Sequence, residues 1–143
     1  MSGDECPDQV KDGEICWFEI PVSDLSRAQK LYTAVFDWKC NPDGTPQNSD
    51  GVKSMHFFKK GGVQGAFLLI QEGYQIPQYG KPGKEVLPPL PTFRVKDCEE
   101  TLRKVQDNGC EVQCPKTEIG GEMGYYARFY DTEGNVISIW SQN

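Results

Sequence analysis

Histidine, cysteine and clustered carboxylates carry much of protein chemistry, and this sequence uses the first of them once. His56 lies in Ser54-Met-His-Phe-Phe58. It can be read as a general base, or as a histidine packed and hydrogen-bonded on a sheet face. No carboxylate partner stands at a telling spacing, which favours the packed reading. Six cysteines are present: Cys6, Cys16, Cys40, Cys98, Cys110 and Cys114. None is spaced Cys-x-x-Cys, so neither a zinc knuckle nor a dithiol redox pair is supported. The N-terminus is acidic and lacks an apolar leader, so reduced, mostly buried thiols and a cytoplasmic location are expected. The acidic run Asp97, Glu99 and Glu100 suits the start of a helix, where carboxylates meet the positive end of the dipole.

The elements that position such groups can be read along the chain. Glu14-Ile-Cys-Trp-Phe-Glu-Ile20 is rich in β-branched and aromatic residues and predicts a strand. Ser23 or Asp24 can cap a helix through Phe36, with Leu25, Ala28, Leu31, Tyr32, Val35 and Phe36 at helical spacing. A strand opens at Trp38-Lys-Cys40, and 41–51 reads as turns. Strands at 53–59 and 64–71 form a hairpin over Lys60-Gly-Gly62. The proline- and glycine-rich stretch 73–88 predicts a loop or linker, unusually long for a compact domain, and loops of that length are often functional. A strand at 90–95 follows. Asp97 caps a helix to about Asn108, stopped by Gly109. Strands at 110–114, 125–130 and 136–140 close the chain, the last two joined by the turn Asp131-Thr-Glu-Gly-Asn135.

The order is strand-helix-strand-strand-strand, twice. Val22-Ser-Asp24 and Val95-Lys-Asp97 lead into the two helices. The expected fold class is α+β: two βαβββ modules, 14–72 and 89–142, forming a curled mixed sheet around a shared cup. They make one domain, 14–143, after a loose lead-in at 1–13. Each module alone would leave a sheet face bare, and the concave surface made by pairing them suits a small-molecule ligand or substrate. A net charge of −6 argues against nucleic-acid binding and against anionic lipid. The longest apolar run, Ala66 to Ile70, is far too short to span a bilayer. A homodimer stays open.

Phe18-Glu-Ile-Pro-Val-Ser-Asp24, followed by Ala28 and Phe36-Asp-Trp38, resembles the opening of vicinal-oxygen-chelate proteins, the glyoxalase/bleomycin-resistance/dioxygenase superfamily. Tyr126-Ala-Arg-Phe-Tyr-Asp-Thr-Glu-Gly-Asn-Val-Ile-Ser-Ile-Trp140 resembles their ending. The branch most similar is the glyoxalase-like one related to lactoylglutathione lyase. Metal-dependent members hold four His, Glu or Gln ligands on four strands. The matching positions are Trp17, Leu69, Leu90 and Ser138. Those side chains cannot hold a divalent ion, so the resemblance implies a member without metal or other cofactor.

Strand alternation, counted from those positions, then fills the cup. Strand one contributes Trp17 and Glu19. The strand through Leu69 contributes Phe67 and Gln71. Leu90, Thr92 and Arg94 come from the fifth strand, and Tyr126, Arg128, Ser138 and Trp140 from the last two. Dioxygenases of the superfamily carry a catalytic tyrosine where Arg128 stands, which argues against that chemistry here. Two guanidinium groups among aromatic walls suit an anionic or aromatic small molecule. Glu19 and Arg128 are the candidate catalytic pair of a metal-independent isomerase or lyase, Glu19 moving a proton and Arg94 or Arg128 steadying an enolate or carboxylate. The alternatives are a non-catalytic, resistance-type binder, or a partner domain whose cup is vestigial. In the plainest case Glu19 only neutralises one of the arginines.

Overall fold

The computed structural model describes residues 10–78 and 86–143. The chain divides into two compact units, one up to Ile76 and the other from Pro77. Of the expected lead-in, 1–9 lies outside the described residues, as does 79–85 of the expected linker. Gly73 to Ile76 belongs to the first unit: Ile76 is buried, and the Tyr74 ring lies against Gly51.

The first unit runs β1 (Phe18–Val22), α1 (Leu25–Phe36), β2 (Lys39–Cys40), β3 (Thr45–Ser49), β4 (Val52–Lys60) and β5 (Val63–Ile70). Asp24 caps α1, its carboxylate accepting from the Arg27 backbone N–H at 3.1 Å. Asp37 ends the helix in the left-handed conformation, φ 56°. Strand order is β1-β5-β4-β2, with β3 also on β4. The first and last strands pair in parallel, Phe18 opposite Gly65 and Val22 opposite Leu69. β3 forms in the stretch whose composition predicts turns. It and β2 pair with successive parts of β4, Thr45 with Met55 and Lys39 with Lys59, so together they act as one interrupted edge strand. That preserves the predicted βαβββ order. The core packs α1 on the sheet through an aromatic cluster: Trp38 stacks on Tyr32 (4.7 Å) and on Phe58 (4.4 Å), and Phe67 meets Tyr32 (5.5 Å).

The second unit repeats the plan with β6 (Thr92–Arg94), α2 (Cys98–Asp107), β7 (Val112–Glu118), β8 (Tyr125–Tyr130) and β9 (Val136–Ser141). Asp97 caps α2, accepting from Glu99 N–H at 3.0 Å, and Gly109 follows its end with φ 83°. Strand order is β6-β9-β8-β7, again with first and last strands parallel. Ala127, Phe129, Ile137 and Ile139 are buried on the α2 side. Ser141, fully buried, accepts from the Cys98 backbone N–H at 3.1 Å and fastens the end of β9 to the start of α2. Two helices and two mixed sheets in two modules make this the α+β class expected from the repeat. Among the described residues no helix is long and apolar enough to cross a membrane.

Candidate functional site

Period-two alternation sends every second residue of a strand to the same side, and residues opposite each other across a ladder share that side. In the second unit Arg94 lies opposite Trp140 and Trp140 opposite Tyr126. In the next row Thr92 lies opposite Ser138, Ser138 opposite Arg128, and Arg128 opposite Cys114. The intervening residues, Phe93, Ala127, Phe129, Ile137 and Ile139, point toward α2. The sequence-predicted Thr92, Arg94, Tyr126, Arg128, Ser138 and Trp140 therefore share the helix-free face of one sheet. Leu90 is half-buried just ahead of β6, next to Pro91, whose carbonyl accepts from Ser138 N–H at 3.3 Å.

Two cation–aromatic pairs organise this face. The Arg94 guanidinium lies 5.5 Å from the centre of the Trp140 ring, and that of Arg128 lies 4.9 Å from the centre of Tyr126. Within the described part of this unit neither guanidinium forms an ion pair; Lys116 with Asp97, at 2.9 Å, is a separate pair beside α2. The Arg128 Nε–H is buried without a hydrogen-bond acceptor among the described residues. Leaving such a donor unmet costs roughly 1–3 kcal/mol, more when the group is charged. Ser138 is almost wholly buried and donates to the Ala127 carbonyl at 3.4 Å. It makes a shallow floor beside Arg128.

Two residues that the sequence reading passed over hold Trp140 in place. The indole Nε1–H donates to the Met123 carbonyl at 2.8 Å, and Gly124, at φ 83°, lies close against the same ring. Their signal in the sequence is Gly120-Gly-Glu-Met-Gly124, a run that needs left-handed backbone at Gly120, Gly121, Glu122 and Gly124.

In the first unit the register corrects part of the expected site. Phe67 lies opposite both Ile20 and His56, and Leu69 opposite Val22 and Ser54. Ile20 and Val22 are buried core, and Phe67 is itself fully buried against Tyr32 of α1. Phe67 and Leu69 therefore face the helix, and Ala66 and Leu68 take the helix-free side with Glu19. A one-residue slip reverses a strand's faces, and that happened here. Gln71 follows β5 and is engaged in its own unit, its amide donating to the Val52 carbonyl at 3.2 Å. Glu19 is exposed, and Trp17 packs edge-on against Phe57 of β4 at 5.9 Å.

His56 is buried among the packed residues of the first unit. Its Nε2 pairs with Ser54 Oγ at 2.8 Å, Gly44 lies against its ring, and its Nδ1 is buried without a hydrogen-bond partner among the described residues. Cys16, Cys40, Cys98, Cys110 and Cys114 are free thiols, and Cys6 lies outside the described residues. Burial, reinforced by Asp131 and Glu133, raises the Cys110 thiol to about 11. That thiol borders a cleft of about 370 Å³ lined also by Glu111, Tyr130, Asp131 and Thr132.

A divalent metal does not fit these residues. Indole, isobutyl and a hydroxyl already turned to a carbonyl supply no donor set at Trp17, Leu90 and Ser138. The register substitutes Leu68 for Leu69 on the helix-free face, one isobutyl group for another. Among the described residues no group of three or more His, Cys, Asp or Glu is placed to hold a metal ion.

Comparison with known proteins agrees with this architecture. Residues 14–139 match the family model of the Glyoxalase/Bleomycin resistance protein/Dioxygenase superfamily. A glyoxylase-like domain-containing protein of Didymella fabae is 28% identical over 132 residues, covering 91% of this chain and 94% of that protein. The structure of a glyoxylase/bleomycin resistance protein/dioxygenase domain from Frankia sp. EAN1pec superposes with a TM-score of 0.68 at 18% identity, covering 92% of this chain and 98% of that one. TnmS3, an antibiotic binding protein from Streptomyces sp. CB03234, superposes with a TM-score of 0.55 at 16% identity, covering 93% and 98%.

Proposed function

Since the chain belongs to the glyoxalase/bleomycin resistance/dioxygenase superfamily, we propose that it takes an anionic or aromatic small molecule on the helix-free face of the second unit and acts on it without a metal, as an isomerase or lyase. The observation that carries this reading is Arg128: a guanidinium resting on Tyr126 that, among the described residues, has no carboxylate partner in its unit and a buried Nε–H without an acceptor. An incoming oxyanion supplies the missing acceptor once the guanidinium turns toward it, and charge-assisted bonds of this kind are worth roughly 1.5–3 kcal/mol. Trp140 and Tyr126 offer the planar surface for the rest of the molecule.

In this proposal Arg128 steadies negative charge as it develops on a carboxylate or enolate, and the base expected from the sequence is Glu19, exposed on the first unit. A cytoplasmic protein meets such acids as metabolites, which suits the expected location. A second reading, a non-catalytic binder, is favoured by the likeness to TnmS3 and by two guanidiniums already pinned on rings, which suits gripping.

Calorimetry with benzoate as probe tests the site. Wild-type protein should bind it, and Arg128→Ala should weaken binding about tenfold or more. Unchanged affinity in Arg128→Ala would remove the reading. Incubation with a panel of 2-hydroxy and 2-oxo acids in deuterated water, followed by NMR, separates the two functions. Deuterium entering at carbon in the wild type but not in Glu19→Gln supports the enzyme; binding without exchange in either protein supports the binder.

A further inference from the structure

The two cation–aromatic pairs of the second unit bear on the charge of the ligand as well as on its presence. Resting on the anion-site reading above, we infer that the ligand is a split dianion, a planar molecule with two separate carboxylates, one received at Arg94 and the other at Arg128.

The argument starts from charge. Both guanidiniums stand on one sheet face, and neither meets a carboxylate within its unit among the described residues. Arginine keeps its charge at any physiological pH. Two like charges on one face repel, weakly because Arg94 is exposed to solvent, and a single carboxylate would pair with only one of them. A dianion balances the pair.

Placement then favours two separated charges over one compact group. Arg94 stands on β6 and Arg128 on β8, with β9 between them, and Arg128 lies one row further along. Strand spacing and rise put their Cα atoms roughly 9–10 Å apart across the sheet and roughly 6–7 Å apart along it. Each guanidinium is held on its own ring, Arg94 on Trp140 and Arg128 on Tyr126. Those rings are opposite neighbours on β9 and β8, yet among the described residues neither stacks on another ring. The guanidiniums are thus two posts rising from strands on either side of β9, with an aromatic surface under each and the low floor of Ser138 beside them.

Calorimetry at neutral pH compares benzoate, isophthalate, terephthalate and inorganic phosphate on the wild type, Arg94→Ala, Arg94→Lys and Arg128→Ala, with thermal melts to check folding. One of the two dicarboxylates should bind at least tenfold more tightly than benzoate. Arg94→Ala should erase that advantage, bringing the dicarboxylate down to the affinity of benzoate, and Arg128→Ala should weaken both. Arg94→Lys, which keeps the charge and spares the fold, should retain part of the advantage. Equal affinity for benzoate and both dicarboxylates would overturn the dianion and leave the single-anion site standing. Phosphate binding best, and lost in either alanine variant, would show the arginines converging on one compact group and overturn the split. If none of the four probes binds, the anion-site reading and this inference fall together.

Discussion

The indole of Trp140 is held from two directions, by a hydrogen bond from Nε1 to the Met123 carbonyl at 2.8 Å and by Gly124 lying against its ring. A Cβ at Gly124 would stand 3.0 Å from Cζ2 of Trp140 and 2.5 Å from the Ser141 carbonyl, at a φ of 83° that side chains avoid. Gly124→Ala should therefore destabilise the protein by about 1–3 kcal/mol and change the tryptophan emission. Urea unfolding followed by fluorescence measures both, and a wild-type midpoint with unaltered emission would contradict the assignment.

Gly65 makes a sharper case in the first unit. A Cβ there runs into the backbone carbonyl of Phe18 on the neighbouring strand, and backbone cannot move aside without parting β1 from β5. Gly65→Ala should cost more than Gly124→Ala and should expose the β1 amides. Hydrogen exchange of the β1 amides that bond to β5 reports that opening directly.

Cys110 should be slow toward alkylating reagents at pH 8, because the thiolate is the nucleophile and burial with Asp131 and Glu133 holds the thiol to about 11. Half-buried Cys114 should react earlier, as mass spectrometry of timed iodoacetamide labelling would show. The raised value also fixes a sign. The unfolded thiol ionises near 9.0, so the stability this group contributes is intact below that pH and is lost as pH rises toward about 11. A Cys110→Ala variant should lose less stability than the wild type across that window.

Asp97 gives the opposite slope. Its carboxylate accepts from Lys116 and from the Glu99 backbone N–H, and both bonds hold its pKa below the ordinary 3.8 of an aspartate. Its stabilising effect is present above that value and is lost as pH falls through the lowered one. Asp97→Asn can still cap α2 but loses the Lys116 pair, so its thermal midpoint should fall below wild type at pH 7 and approach it in strong acid. Equal differences at both pH values would count against the pair.

Protein prepared without a tag should carry no stoichiometric zinc, nickel, iron or manganese, because Trp17, Leu68, Leu90 and Ser138 cannot supply ligands. Elemental analysis finding one ion per chain, removed together with activity by a chelator, would overturn that expectation.

The sequence revealed some parts of this structure more readily than others, for physical reasons. In β8 and β9, Tyr126 and Arg128 alternate with Ala127 and Phe129, so the polar side declares itself and the face of the second unit could be read. In β5, Gly65-Ala-Phe-Leu-Leu-Ile70 is apolar on both sides, and alternation carries no information there. The side facing the helix was settled by Phe67 finding Tyr32, a tertiary contact absent from any local pattern. The edge strand β3, Thr45-Pro-Gln-Asn-Ser49, is polar and contains a proline, features tolerated at a sheet edge and indistinguishable from a turn in sequence. The helices were plain because their caps, Asp24 and Asp97, and their periodic apolar faces agree.

In each unit the first strand pairs with the last, Phe18 with Gly65 and Thr92 with Ser138, partners 47 and 46 residues apart (65 − 18 and 138 − 92). Neither β1 nor β6 can acquire its backbone partner until nearly the whole of its own unit has been laid down. Closing so wide a loop is an entropic cost met late. Refolding should accordingly protect the hairpins β4–β5 and β8–β9 first and the amides of β1 and β6 last. During that interval the newest edges of β5 and β9 stand open, and it is then, more than in the finished protein, that two copies of the chain would be at risk of pairing with each other's strands.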